Sequence, residues 1–295
     1  MSRRLVRSYL YVPADEAERL HKAPSRGADA VIADLEDSVA MIRKDLAVEN
    51  AAEWLAKKSG YTTVERWVRV NPGARGLDDV AAVFGRGLTG ICLSKVSSGA
   101  EVRRASETLD SLERRSGIAG QTILIMPLIE SAAGLQSLSE IAGSPRVQKL
   151  QIGELDLAAD LGIQPGGDEA ELGPFRSSVV VASVVSGLLP PVGAVTPEFR
   201  DSDLLAVSTQ RLKRAGFVGR AAIHPAQLET IHSCFAVTPT EAAAAQDLVN
   251  RYEAAVNGGE GVILGDDGRM VDEAVIRQSR RIVALATGAK RGDPR

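Results

Sequence analysis

The sequence predicts a (β/α)8 TIM barrel with a C-terminal helical extension, on three observations. Short apolar runs rich in β-branched residues recur along the chain, and each is followed by a stretch of good helix formers. Eight such units occupy roughly the first 230 of the 295 residues, near the usual barrel length of about 250. The first run leads into Val12-Pro13-Ala14-Asp15. A doubly wound open sheet, the competing architecture, would want a glycine-rich phosphate loop there.

The predicted strands follow in order. They are Ser8–Val12, Ala30–Ala33 ending at Asp34, Arg66–Val70, Gly90–Leu93, Thr122–Met126 and Lys149–Ile152, with weaker candidates at Pro191–Val195 and Gly219–Ile223. Most are apolar on both faces, as strands are when helices cover a parallel sheet. Between them Lys44–Ser59, Gly99–Ser116 and Ser202–Ala215 are rich in Ala, Leu, Glu and Arg and read as helices. The alternation stops after His224-Pro225. Pro239–Asn257 reads as a helix, a glycine-rich polar turn follows, and Glu273–Thr287 reads as the last helix before a frayed end at Lys290–Arg295. The expected division is a barrel over residues 1–235 and a helical extension over 236–295, packed on its own barrel or on a neighbour's.

Composition narrows the function classes. With 35 Lys and Arg against 38 Asp and Glu, the net charge is −3, which offers no electrostatic footprint for nucleic acid. No apolar run approaches the roughly 20 residues that span a bilayer. The apolar stretch after the basic start is interrupted by Pro13 and Asp15, too soon for a signal-peptide core, so the expected location is the cytoplasm. Cys92 and Cys234 lack metal or redox spacing, and Cys92 sits in a strand-like run that suits a core position. With only three histidines, any metal should be held by oxygen ligands.

Catalytic groups of a parallel barrel come from the C-terminal ends of its strands. Those ends carry Asp34-Leu35-Glu36-Asp37, Arg69-Val70-Asn71, Ser94-Lys95, Pro127-Leu128-Ile129-Glu130 and Gly153-Glu154-Leu155-Asp156. Five consecutive strands thus bring carboxylates, an Arg, an Asn and a Lys to one rim. Clustered carboxylates repel unless cations compensate them, and an oxygen-only site that keeps several waters suits Mg2+. The rim reads as that of a metal-dependent enzyme.

The same residues carry a resemblance. Arg7–Pro13, Gly27–Val39 (Gly-Ala-Asp-Ala-Val-Ile-Ala-Asp-Leu-Glu-Asp-Ser-Val), Val68–Asn71, Lys95-Val96, Pro127–Ser131, Gly153–Gly162, Gly216–Arg220 and Ile223–Pro225 stand in a characteristic order and spacing. From about Arg7 to Ala286 the chain resembles the citrate lyase beta subunit and malyl-coenzyme A lyase family of the HpcH/HpaI aldolase superfamily. The resemblance implies a barrel of the phosphoenolpyruvate/pyruvate type. It implies Mg2+, with Mn2+ as the alternative, on Glu130 and Asp156, chelating an oxo or hydroxy acid. Arg69 would contact substrate and offset an enolate oxygen, and Glu36 and Asp37 would orient metal-bound waters. Lys95 would add positive charge at the substrate or else pair with the Asp34–Asp37 group. Gly268–Asp272 is similar to the segment through which a neighbouring subunit closes the site. Asp272 is then either a general acid/base or simply the N-cap of the last helix. The first alternative requires an oligomer, and the family suggests a homotrimer or hexamer.

Two departures stand out. Where relatives that bind coenzyme A commonly have Gly, a polar residue and Arg, this chain has Ala14-Asp15-Glu16; where they have Lys-x-x-Ala-Arg, it has Lys44–Val48. An acid near a polyanionic carrier weakens binding. Lys22, Arg3, Arg4 and Arg7 are either nucleotide contacts or solvated surface charges. His224 suits a structural or loop-orienting role. The leading expectation is a Mg2+-dependent lyase that cleaves a malyl-, citramalyl- or citryl-coenzyme A type thioester, with the coenzyme A ester as substrate rather than bound cofactor. The alternatives are an aldolase of free 2-oxo or hydroxy acids, and a citrate-lyase-like subunit that needs a partner.

Overall fold

A computed structural model of the chain describes residues 6–57, 60–61, 63–118 and 120–287. Eight parallel strands close into a barrel in sequence order: β1 (Ser8–Pro13), β2 (Ala30–Asp34), β3 (Glu65–Val70), β4 (Gly90–Leu93), β5 (Leu124–Ile129), β6 (Gln151–Ile152), β7 (Val192–Gly193) and β8 (Gly219–Ala222), with β8 pairing back on β1. Helices α1 (Ala17–Lys22), α2 (Lys44–Ala56), α3 (Gly73–Val83), α4 (Gly99–Ser116), α5 (Ala132–Gln136), α6 (Leu138–Ala142), α7 (Glu154–Leu161), α8 (Gly173–Val185), α9 (Ser202–Ala215) and α10 (Leu228–Phe235) connect and follow them.

The predicted fifth strand, Thr122–Met126, lies too early. The observed strand starts at Leu124 and runs through Pro127 to Ile129. Proline normally ends a ladder, but Pro127 lies opposite Leu93, the last residue of β4, where the pairing on that side stops anyway. β7 is also shorter than the sequence suggests, two residues against five.

Tyr9, Ile32, Trp67, Cys92, Met126 and Val192 pack together inside the barrel. Trp67 forces Gly90: a Cβ there would sit 2.4 Å from Trp67 Cζ3. One buried cation enters this layer. Lys149 Nζ donates to Tyr9 Oη at 2.6 Å, lies 5.4 Å from the centre of the Trp67 ring, and has Glu65 at 3.9 Å as counter-ion. A buried charge persists only with such partners. Cys92 is buried in the same layer, where desolvation pushes its thiol up and makes it inert.

A second compact unit comprises the segment from Phe235 onward. In it, α11 (Pro239–Asn257) starts with a capping box between Thr238 and Glu241. A two-stranded hairpin, β9 (Ile263–Leu264) with β10 (Met270–Val271), leads to α12 (Glu273–Thr287). Val249, Tyr252, Val271 and Ile276 form its small apolar cluster. The expected frayed end, Lys290–Arg295, lies outside the described residues. Among the described residues, no helix is long and apolar enough to cross a membrane.

Candidate active site

The barrel's pairing builds the rim. β2 and β3 align Asp34 with Arg69, and Arg69 Nε and Nη2 donate to the two Asp34 carboxylate oxygens at 2.6 Å each. Burial disfavours the Asp34 charge, yet this two-pronged contact outweighs it and holds the carboxyl below its ordinary range. Asp34 also accepts the N–H of Glu36 at 3.0 Å and of Ser38 at 3.3 Å, plus the Ser38 hydroxyl. The strand end therefore winds around its own carboxylate and presents Glu36 and Asp37. Arg69 Nη1 lies 3.0 Å from Glu36 Oε2 and 3.8 Å from Asp37 Oδ2, while Nη2 gives one of its two N–H groups to Asp34 and keeps the other for a ligand. Lys44, at the start of α2, secures the turn from behind by donating to the carbonyls of Leu35 and Glu36 at 2.8 and 2.7 Å.

Lys95 follows β4 in the left-handed region, with φ of 52°. Such a conformation is uncommon for a residue with a Cβ and stores strain. Here it aims the Lys95 N–H at Glu130 Oε1, 2.5 Å away, while Nζ lies 2.6 Å from Glu36 and 3.0 Å from Asp37. Of the two roles that the sequence leaves open for Lys95, the ion pair with the Glu36–Asp37 group is the contact present.

Glu130 directly follows β5 and is only 3% exposed. Desolvation, with the Asp156 charge adding to it, pushes its carboxyl up to about 8. Its side chain fits because residue 153 is glycine: a Cβ there would fall 2.7 Å from both Glu130 Cβ and Oε2. Asp156 lies in the first turn of α7, where the helix dipole favours an anion. Glu154, in the same turn, is already neutralised by a bidentate contact with buried Arg176 at 2.6 and 2.8 Å. The open carboxylates are thus Glu130 and Asp156.

Both line a cavity of about 450 Å3, together with Arg69, Asp34, Asp37, Tyr11 and Gln151. The cations nearest to the pair, Arg69 and Lys95, are committed to Asp34, Glu36 and Asp37. Two carboxylates, one of them desolvated and facing its neighbour's charge, call for an added cation. Among the described residues no cluster of three or more His, Cys, Asp or Glu could hold a metal. A pair completed by water and substrate oxygens is nonetheless how Mg2+ is usually bound. The donor set therefore fits Mg2+, and Mn2+ by the same chemistry.

Other expected residues fall elsewhere. Asn71 is tied to Asp79 at 2.7 Å and serves the loop before α3. Arg7 precedes β1, at the opposite end of the barrel from the rim, and binds Asp29 at 3.0 Å, so it is no nucleotide contact of this cavity. Lys22 pairs with Glu18. Arg3 and Arg4 lie outside the described residues. Glu16, the departure from the coenzyme A pattern, is 2.7 Å from Arg19, and Arg19 itself lines the cavity. His224 caps a short turn, accepting the Ala226 N–H on Nδ1 at 3.2 Å. Asp272 caps α12, accepting the N–H groups of Ala274 and Val275 at 2.9 and 3.2 Å. Tyr11 and Gln151 were missed by reading strand ends alone. Their signal is a polar group at an inward position of a buried strand.

Comparison with known proteins shows what the chain is similar to. The family model for HpcH/HpaI aldolase/citrate lyase matches residues 7–225. A (3S)-malyl-CoA thioesterase of Cereibacter sphaeroides is 32% identical over 95% of this chain and 94% of its own length. The citrate lyase subunit beta of Leuconostoc mesenteroides subsp. cremoris is 30% identical over 96% and 94%. Among solved structures, the CitE protein of Mycobacterium tuberculosis in complex with magnesium, acetoacetate and coenzyme A superposes with a TM-score of 0.77 at 25% identity, covering 97% of this chain and 99% of that one.

Proposed function

The chain belongs to the HpcH/HpaI aldolase/citrate lyase family, and from that premise we infer how its site works. It is a Mg2+-dependent carbon–carbon lyase of the citrate lyase beta subunit type, and its substrate is a coenzyme A ester of the malyl, citramalyl or citryl kind. The observation that carries the site assignment is the placement of buried Glu130 and Asp156 beside the Arg69 guanidinium in one cavity.

Cleavage breaks the bond between C2 and C3 of a 3-hydroxyacyl thioester. The hydroxyl loses its proton, C3 becomes the carbonyl of an oxo acid, and the electron pair moves onto the thioester as an enolate that must be protonated. Glu130 and Asp156 hold the metal, which when bound supplies a Lewis acid for the oxo-acid oxygens. Arg69, fixed by Asp34, offers preorganised donors to the developing oxyanion. Glu36 and Asp37, held by Arg69 and Lys95, orient water at the site. Asp272 of a neighbouring subunit delivers the proton to the enolate carbon. The active form is then a homotrimer or hexamer in the cytoplasm.

The test is a mass-spectrometric product assay with Mg2+ and a panel of malyl-, citramalyl-, methylmalyl- and citryl-coenzyme A, alongside the free acids and chelator controls. Chelator-sensitive release of an acyl-coenzyme A and an oxo acid is expected, and Glu130→Ala abolishes it with the fold intact. Cleavage of a free acid alone would replace this reading by a thioester-independent aldolase.

A further inference from the structure

Below the metal-binding residues the cavity has a polar floor. Tyr11 Oη donates to Gln151 Oε1 at 3.0 Å, and the Arg69 guanidinium lies over the Tyr11 ring, 5.1 Å from its centre. Gln151 pairs with Leu128 across β5 and β6, so it sits two residues before the level of Glu130 and Gly153. That places it one inward layer, about 6–7 Å, deeper than Glu130. Gln151 is 3% exposed and lines the cavity, yet its other amide end, Nε2, has no hydrogen-bond partner among the described residues. Its neighbours in the lining, Leu128, Ile152, Val195 and Ile223, are apolar.

An amide donor that opens on a cavity floor without a protein partner loses its hydrogen bond when an apolar group is set against it and keeps one when the group is an oxygen. We propose that Gln151, oriented by Tyr11, is a specificity-determining residue that selects a 2-oxo acid bearing an oxygen acceptor on its C3 substituent over one ending in a bare alkyl group. The inference rests on the lyase reading, since Arg69 and the Glu130–Asp156 metal site must hold the other end of the same acid. Tyr11 is a positioning residue: its hydroxyl fixes the amide, and its ring supports Arg69.

Binding of isosteric acids to the Mg2+-loaded protein tests this by calorimetry without turnover. The probes are 3-hydroxypyruvate and 2-oxobutyrate, which differ by a hydroxyl in place of a methyl, with oxaloacetate and pyruvate as a second pair. The oxygen-bearing member of each pair is expected to bind at least about ten-fold tighter. Gln151→Leu brings the isosteric pair within about two-fold of each other by weakening the hydroxy acid alone, and Tyr11→Phe gives an intermediate ratio. Equal affinities in the unaltered protein would overturn the inference and leave the lyase reading standing. So would an equal loss of both acids in Gln151→Leu, or an unchanged ratio in Tyr11→Phe should the first variant not fold. Absence of Mg2+-dependent binding for every acid would overturn both.

Discussion

Arg69 and Asp34 face each other across β2 and β3 with two parallel contacts of 2.6 Å, so the guanidinium plane is set by a neighbouring strand and not by the substrate. A lysine in its place cannot reproduce the fork. Arg69→Lys should lower kcat/KM by roughly 100- to 1,000-fold, the usual loss when one preorganised oxyanion donor is removed. Asp34→Asn removes the closest counter-charge of the buried guanidinium and leaves it Glu36 at 3.0 Å and Asp37 at 3.8 Å, and should lower stability by about 3 kcal/mol as well as turnover. Steady-state kinetics and denaturant unfolding of the two variants separate these effects, since only the second should shift the unfolding midpoint strongly.

Glu130 is built for function at the expense of stability. Its carboxyl is pushed up to about 8 by burial, so without metal the folded state resists its ionisation. The penalty is absent below the ordinary value of 4.5, grows as pH rises towards 8, and is constant above that. In chelator, Glu130→Gln should therefore melt above the unaltered protein by roughly 5 °C at pH 8, with a smaller gap at pH 5.5. Mg2+ should raise the melting temperature of the unaltered protein at pH 8 and leave the variant unmoved. A variant that melts lower in chelator at pH 8 would contradict the assignment.

The barrel was legible because its signal is periodic. Runs such as Ala30–Asp34 and Gly90–Leu93 are short, apolar on both faces and separated by helix formers, and their observed limits match. β5 was misplaced because Pro127 carries a local stop signal that only the length of β4 cancels. The rim carboxylates and cations were legible too, since strand ends can be read one at a time. Apart from Lys95, whose pairing with the Asp34–Asp37 group the sequence offers as one of two roles, what could not be read is which charges neutralise one another. Asp34 and Arg69 stand 35 residues apart, as do Lys95 and Glu130, and only strand register brings them together. Glu154 and Asp156 look equivalent in sequence; Arg176, 22 residues beyond Glu154, removes one from contention. In the sequence Lys44 is only the first residue of a helix, and nothing there shows that its ammonium holds the carbonyls of Leu35 and Glu36.

Away from the site, Glu113 on α4 anchors the start of β5. Burial opposes its charge. Even so, Arg146 and the N–H groups of Ile123 and Gln121 hold its carboxyl down at about 2. A depressed folded value stabilises the fold above the unfolded value of 4.5, and that contribution is lost as pH falls towards 2. Glu113→Gln should lower stability at pH 7 by on the order of 2–3 kcal/mol. The gap between variant and unaltered protein should narrow between pH 4.5 and 3. Urea unfolding across that range reads it directly, and a gap independent of pH would mean that packing, not charge, is what the variant loses.

Asp272 poses a sharper question, because in its own chain it caps α12 through the N–H groups of Ala274 and Val275. Asparagine caps as well as aspartate but cannot move a proton. Asp272→Asn should therefore melt like the unaltered protein while kcat falls by at least about 100-fold. Mixing then decides which chain's site it serves. Chains carrying Asp272→Asn and chains carrying Glu130→Gln are each inactive alone. Dissociated together and reassembled, they should recover about a quarter of the activity of the unaltered protein, because random assortment pairs an intact metal site with an intact neighbouring Asp272 in one site of four. No recovery, with Asp272→Asn still inactive alone, would put Asp272 in its own chain's site. Full activity of Asp272→Asn would leave it as a helix cap and require another proton donor at the enolate carbon.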